Sequence, residues 1–90
     1  MINITNNIIV VFANRIDTMR LHQCLDNVWV RNVVMPTPRQ LSVSCGLSLK
    51  TKYSNLNKVL YCIKSLGLSS QYKIFGEKIT GNNTYYTNIV

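Results

Sequence analysis

The apolar positions along the chain fall into two periods. Ile8-Ile9-Val10-Val11-Phe12-Ala13 is an unbroken, largely β-branched run between Asn6-Asn7 and Asn14. Such a run predicts a central strand buried on both faces. Asn14 is placed to cap a helix, with Asp17 in its first turn at the positive end of the dipole. That helix runs from about Arg15 to Val28. Its apolar face is untidy: Ile16, Met19, Leu21, Cys24, Leu25 and Val28, with Trp29 and Val30 at the exit. Asn32 to Met35 is a second short strand that stops at Pro36-Thr37-Pro38. After a polar stretch from Gln40 to Gly46, Leu47 to Tyr53 alternates as a half-buried strand. Ser54 is the next N-cap candidate. Leu56, Val59, Leu60, Ile63 and Leu66 then mark a clean amphipathic helix, with Gly67 where a left-handed terminal residue belongs. Tyr72 to Lys78 alternates as a fourth strand. Thr80-Gly81-Asn82-Asn83 is a turn, and Thr84 to Val90 returns as a short edge strand in preference to a loose tail.

The order strand, helix, strand, strand, helix, strand predicts an α+β fold. Two right-handed crossovers sharing one antiparallel sheet give the ferredoxin-like βαββαβ split arrangement, with both helices on one face. Residues 1–90 form a single domain: a core over 8–79 and a C-terminal hairpin strand or tail over 80–90. The uncovered sheet face invites a homodimer, with Phe75 and Tyr72 as contacts. This fold hosts many functions and does not choose among them.

Composition narrows the choice. The chain has 90 residues, ten Lys and Arg against three Asp and Glu, and a net charge of +7. A domain this small has one thin core. At 47% hydrophobic and 14% charged it is a folded chain rather than a disordered one. The positive balance reflects a shortage of acids. The cations are spread singly, without a basic cluster, so nucleic-acid binding is not favoured. No apolar run is long enough to span a bilayer, and the N-terminus does not read as a secretory signal, so the expected compartment is the cytoplasm. Three cysteines, Cys24, Cys45 and Cys62, and a single histidine, His22, lack metal-ligand spacing. Free thiols, no metal and no cofactor are the expectation, with Cys24 and Cys62 as packing residues. With so few acids, no acid/base constellation for an autonomous enzyme is visible.

The segment Met35-Pro36-Thr37-Pro38-Arg39-Gln40-Leu41-Ser42-Val43-Ser44-Cys45-Gly46-Leu47 stands apart. Thr37 as cap, Pro38 at the first helical position and Gln40 three residues after the cap read as a helix start. Free N–H groups there, beside Arg39, would suit an anion. Cys45 follows, with Gly46 permitting close approach of a ligand or a positive φ. A thiol near a cation and a helix end has its pKa lowered from about 8.5 towards neutrality. The competing reading makes Cys45 a small residue at a strand start and Pro36 to Pro38 only a strand terminator.

This segment resembles the putative selenium/sulfur (Se/S) carrier protein-like family of short bacterial proteins, whose pattern reads approximately Pro-x-Pro-Arg-x-Leu-Ser-x-x-Cys-Gly. The matching positions are Pro36, Pro38, Arg39, Leu41, Ser42, Cys45 and Gly46. The likeness spans roughly residues 8 to 78. It departs where that family ends its first helix with Gly and a short turn, a region held here by Trp29, Arg31 and Asn32. The resemblance implies a role in sulfur or selenium metabolism beside cysteine desulfurases or selenium-handling enzymes. Cys45 would accept a persulfide or selenopersulfide, Arg39 would stabilise the thiolate or dock an anionic donor, and Ser42 and Ser44 would donate hydrogen bonds to the sulfur or its adduct. Two other functions compete with it. One is an anion- or metabolite-binding regulatory module built on Thr37, Pro38 and Arg39, and the other is a weak RNA binder.

Overall fold

The structure is a computed structural model that describes residues 6–41, 46–68 and 72–89. Strand β1 (Asn7–Phe12) leads to helix α1 (Arg15–Asn27), β2 (Asn32–Pro36), β3 (Leu47–Lys52), helix α2 (Leu56–Leu66), β4 (Tyr72–Thr80) and β5 (Asn83–Asn88). The strands form one antiparallel sheet in the order β2-β3-β1-β4-β5. Because β1 and β2 both run antiparallel to β3, they are parallel to each other, and α1 makes the crossover between them. The hairpin strand β5 extends the sheet beyond β4 as an edge, as the turn residues around Gly81 predict. Pro36 lies at the end of β2, the opposite edge strand, where a missing N–H costs little.

The predicted central strand is central. Ile8 to Phe12 are all buried. Register shows which way each points. Val10 sits opposite both Leu49 and Ile74, and Phe12 opposite Tyr72. These residues join Leu21 and Leu25 of α1 and Val59, Cys62 and Ile63 of α2 in one core cluster. Both helices therefore cover the same sheet face. Tyr72 belongs to that side, its ring 5.9 Å from Phe12, so it is not a contact on the second face as the sequence suggested. Strand β3 is more deeply buried than its alternation implies. Lying between β2 and β1, it buries Ser48 and Thr51 as well as Leu49.

The helix ends are set locally. Asn14 caps α1 as expected, its Oδ1 accepting from the Asp17 N–H at 2.9 Å. Ser54 does not cap α2. Residues Tyr53–Asn55 form a 3-10 turn that feeds directly into the helix, and Asn55 donates to Thr51 Oγ1 at 3.0 Å instead. Both helices finish in the same way. In α2, Leu68 N–H bonds Ile63 O and Gly67 N–H bonds Lys64 O, with Gly67 left-handed at φ 65°. In α1, Val30 N–H bonds Leu25 O at 2.9 Å and Trp29 N–H bonds Asp26 O at 3.1 Å. The left-handed residue there is Trp29, at φ 63°. Each pair of bonds satisfies the last carbonyls of its helix, and the following apolar residue, Val30 or Leu68, is buried. Trp29 itself is 95% exposed, so it is not a core anchor.

The cysteines correct a second expectation. Cys24 of α1 and Cys62 of α2 are joined by a disulfide, with their Cα atoms 6.1 Å apart. Counting and spacing along the chain point to free thiols because the pairing is made by helix packing, which no linear motif reports. The bond staples the two helices across their contact.

Candidate functional site

The loop between β2 and β3 carries the motif. Its base is closed by a hydrogen bond from Thr37 N–H to Gly46 O at 3.0 Å. Inside it, Leu41 N–H bonds Pro38 O at 3.0 Å, and residues Arg39–Leu41 make a single 3-10 turn. The helical start expected from Thr37, Pro38 and Gln40 is thus one turn long. Arg39 is exposed on it, and Pro38 is half-buried. Gly46 does not use a positive φ. The position its Cβ would take is open space, which leaves room beside the residue after Cys45. Ser42, Ser44 and Cys45 lie outside the described residues.

The loop's destination was not visible in the sequence. Gln40 Nε2 donates to Thr84 O at 3.4 Å, and Gln40 and Leu41 line a depression together with Phe75, Thr84 and Tyr86. Strand β5 is three places along the sheet from β3, about 14 Å at ordinary strand spacing. Register places Phe75, Thr84 and Tyr86 on the face turned away from the helices. The segment therefore crosses the sheet's second face. It approaches the side on which Ile9 and Val11 are buried at 0% and 4% exposure. The face expected to stand open carries Gln40 and Leu41 of the motif loop.

Polar groups on that face were also missed. Glu77, 6% exposed, receives Lys50 Nζ at 3.1 Å, Asn7 Nδ2 at 3.2 Å and the Tyr86 hydroxyl at 3.4 Å. Adjacent strands bring these four together: Asn7 and Tyr86 lie opposite Glu77, and Lys50 is diagonal to it across β1. A single acid in a strand gave no sequence signal, because its partners are 9 to 70 residues away in the chain. Burial pushes the Tyr86 hydroxyl above its ordinary value of about 10, and the negative charge of Glu77 and its hydrogen bond push the same way. The sign follows from linkage. The contribution is intact below about pH 10 and is lost as pH rises through the raised folded value. In an ultraviolet titration of the five tyrosines, one should ionise later than the rest, and Tyr86→Phe should abolish that late step. A late step persisting in the variant would assign it elsewhere. Ser48 Oγ is also buried on this side, with no hydrogen-bond partner among the described residues.

His22, the single histidine, is part of a second network. Its Nδ1 lies 2.5 Å from Asn32 Oδ1 and its Nε2 3.3 Å from Asp26 Oδ2, while Asn32 Nδ2 donates to Asp26 Oδ1 and to Val30 O, both at 2.9 Å. This network fixes the turn that carries Trp29. Among the described residues no cluster of His, Cys, Asp and Glu could hold a metal ion, and no helix is long and apolar enough to cross a membrane.

The class of the chain is given by its sequence from β1 through both helices to the start of β4. The family model described as "Putative Se/S carrier protein-like" matches residues 7–73, and the chain belongs to that family. No curated protein and no solved structure gives a significant match. The matched span takes in the whole motif and ends at the start of β4, so β5 lies beyond it.

Proposed function

We propose that this protein is a small carrier of sulfur or selenium that holds its cargo on Cys45. The observation that carries this reading is the family match across the segment containing Pro36, Pro38, Arg39, Leu41, Ser42, Cys45 and Gly46. Three features support it. The loop is pinned at its base, from Thr37 to Gly46, and at Gln40, which reaches Thr84 on the sheet. The space beside Gly46 accommodates a cargo atom or a donor. Cys24 and Cys62 are bonded to each other, which leaves Cys45 as the one thiol of three outside the disulfide. In this reading the domain is a ferredoxin-like βαββαβ core with β5 added, working beside a cysteine desulfurase or a selenium-handling enzyme.

The chemistry needs no general acid or base of the carrier's own. The Cys45 thiolate attacks the outer sulfur of a persulfide on the donor enzyme. A new S–S bond forms at Cys45, the donor's S–S bond breaks, and the donor cysteine leaves as a thiolate. No net oxidation occurs. Arg39 holds the Cys45 thiolate charged, and Ser42 and Ser44 donate to the adduct. Thr37 and Pro38 shape the turn that presents Arg39.

The test is intact-mass and peptide mass spectrometry after incubation with a cysteine desulfurase and cysteine. The expected result is a gain of one sulfur atom on Cys45, absent in Cys45→Ser and reduced about tenfold or more in Arg39→Ala. No gain on Cys45 under conditions that load a control acceptor would reject the carrier reading.

A further inference from the structure

We infer that the exit of α1, centred on Trp29, is the surface through which the carrier docks the enzyme that loads it. This rests on the carrier reading for the identity of the partner. The surface itself is argued from four observations.

Trp29 occupies the left-handed position that closes a helix, the position Gly67 fills in α2. An L side chain is disfavoured there, and glycine is not. The indole gains nothing in exchange from the fold, because it is 95% exposed. Yet the turn is rigid. Two backbone bonds to Leu25 and Asp26 and the His22–Asp26–Asn32 network hold it. A large aromatic held outward on a strained and fixed turn is what an interface anchor requires. The backbone entropy of the turn is already spent before it meets a partner.

The apolar surface also continues beyond it. Trp29 and Val33 line one depression, and Ile16 and Met19 line another along α1, and the two depressions share Asp26. Ile16 is 67% exposed and Val33 59%. These aliphatic neighbours suit a protein surface. A nucleic-acid platform would need further aromatic rings for stacking.

Charge selects the kind of protein. Arg15, Arg20 and Arg31 border the two depressions and are exposed, and no ion pair to any of them occurs among the described residues. The acids nearby are engaged: Asp26 with His22 and Asn32, Asp17 with Asn14. The surface therefore presents an apolar centre inside an unpaired positive rim. A second copy of a +7 chain is repelled by it. The complementary partner has an apolar pocket with an acidic border, and on the carrier reading that partner is the sulfur donor.

The chain contains one tryptophan. Labelling with 5-fluorotryptophan thus gives a single fluorine resonance that reports Trp29 alone, even in the presence of an unlabelled enzyme. Adding a cysteine desulfurase should shift or broaden that resonance, and rising ionic strength should reverse the effect. In Trp29→Gly the apparent affinity for the desulfurase, read from Cys45 loading against carrier concentration, should fall about tenfold or more. Loading of Cys45 by a small persulfide such as glutathione persulfide should be unchanged. The melting temperature of this variant should rise by about 4 °C, since the turn loses its strained residue. That rise separates lost docking from lost folding.

The outcomes divide cleanly. If Cys45 is loaded by the desulfurase while the fluorine resonance stays still, the docking surface is wrong and the carrier reading survives. If the resonance shifts but Cys45 gains no sulfur, the surface stands and the carrier reading fails. A resonance that responds to carrier concentration alone, or to single-stranded oligouridylate and not to the desulfurase, overturns the inference in favour of self-association or RNA.

Discussion

Reducing the Cys24–Cys62 disulfide should cost this domain about 3 kcal/mol and lower its melting temperature by about 15 °C. The bond closes a loop across 38 positions, and in the chain-entropy account a loop of that size removes much of the freedom of the unfolded state. The loss is large against the total. A 90-residue domain with one thin core has a stability on the order of 5–13 kcal/mol. The measurement is a pair of thermal melts, with and without a thiol reductant. Equal melting temperatures would mean that helix packing alone sets the stability. The two single variants should differ. Cys62 is fully buried, whereas Cys24 is half-buried at the margin of the core. Beyond the lost bond, Cys62→Ser places an unpaired hydroxyl among Val59, Leu25 and their neighbours, which adds about 1–2 kcal/mol. Cys24→Ser keeps its hydroxyl near water and should lose little more than the bond itself.

Replacing Lys50 should have the next largest effect, about 2 kcal/mol for Lys50→Met. The reason is an asymmetry of burial. Glu77 is 6% exposed and Lys50 is 34% exposed along its side chain. Removing the cation leaves a buried carboxylate with only Asn7 and Tyr86 for company. Removing the carboxylate, as in Glu77→Gln, leaves a lysine that reaches water, and an amide still bonds Asn7 and Tyr86. The lysine variant should therefore be the less stable of the two. Denaturant melts of both variants test this ordering. If Glu77→Gln proves the more damaging, the ion pair itself, and not the burial of the carboxylate, dominates.

Local signals in the chain read well where local physics decides. The β-branched run from Ile8 to Phe12, the Asn14 cap, Gly67 and the Gly81 turn each act over a few residues, and each is found where its pattern places it. The contributions from distant strands were not legible. Ser48 reads as a solvent-facing position in an alternating strand, and it is buried because β1 and β2 flank it. Ser54 reads as a cap, but the 3-10 turn after β3 starts the helix first. The Cys24–Cys62 pair depends on two helix faces meeting, and the Glu77 cluster on four strands in register. The site divides in the same way. The motif stands in one short segment, whereas the surface that Gln40 and Leu41 meet is assembled from β4 and β5. Trp29 is a mixed case. Its place at a helix exit was plain, but its left-handed backbone and outward indole were not, since sequence preference puts glycine there.

On the proposed carrier reading, the bond between the helices bears on how cargo would leave Cys45. A sulfur atom held there would leave by attack of a nucleophile such as a thiolate on one of the two sulfurs of the persulfide. A second free thiol in the same chain could make that attack and form an internal disulfide, releasing the cargo as sulfide into solution. Cys62 and Cys24 are each occupied by the other and cannot do so. On that reading discharge would fall to a different molecule. The helix staple would then act as a safeguard for the cargo, keeping it in place until an acceptor arrives.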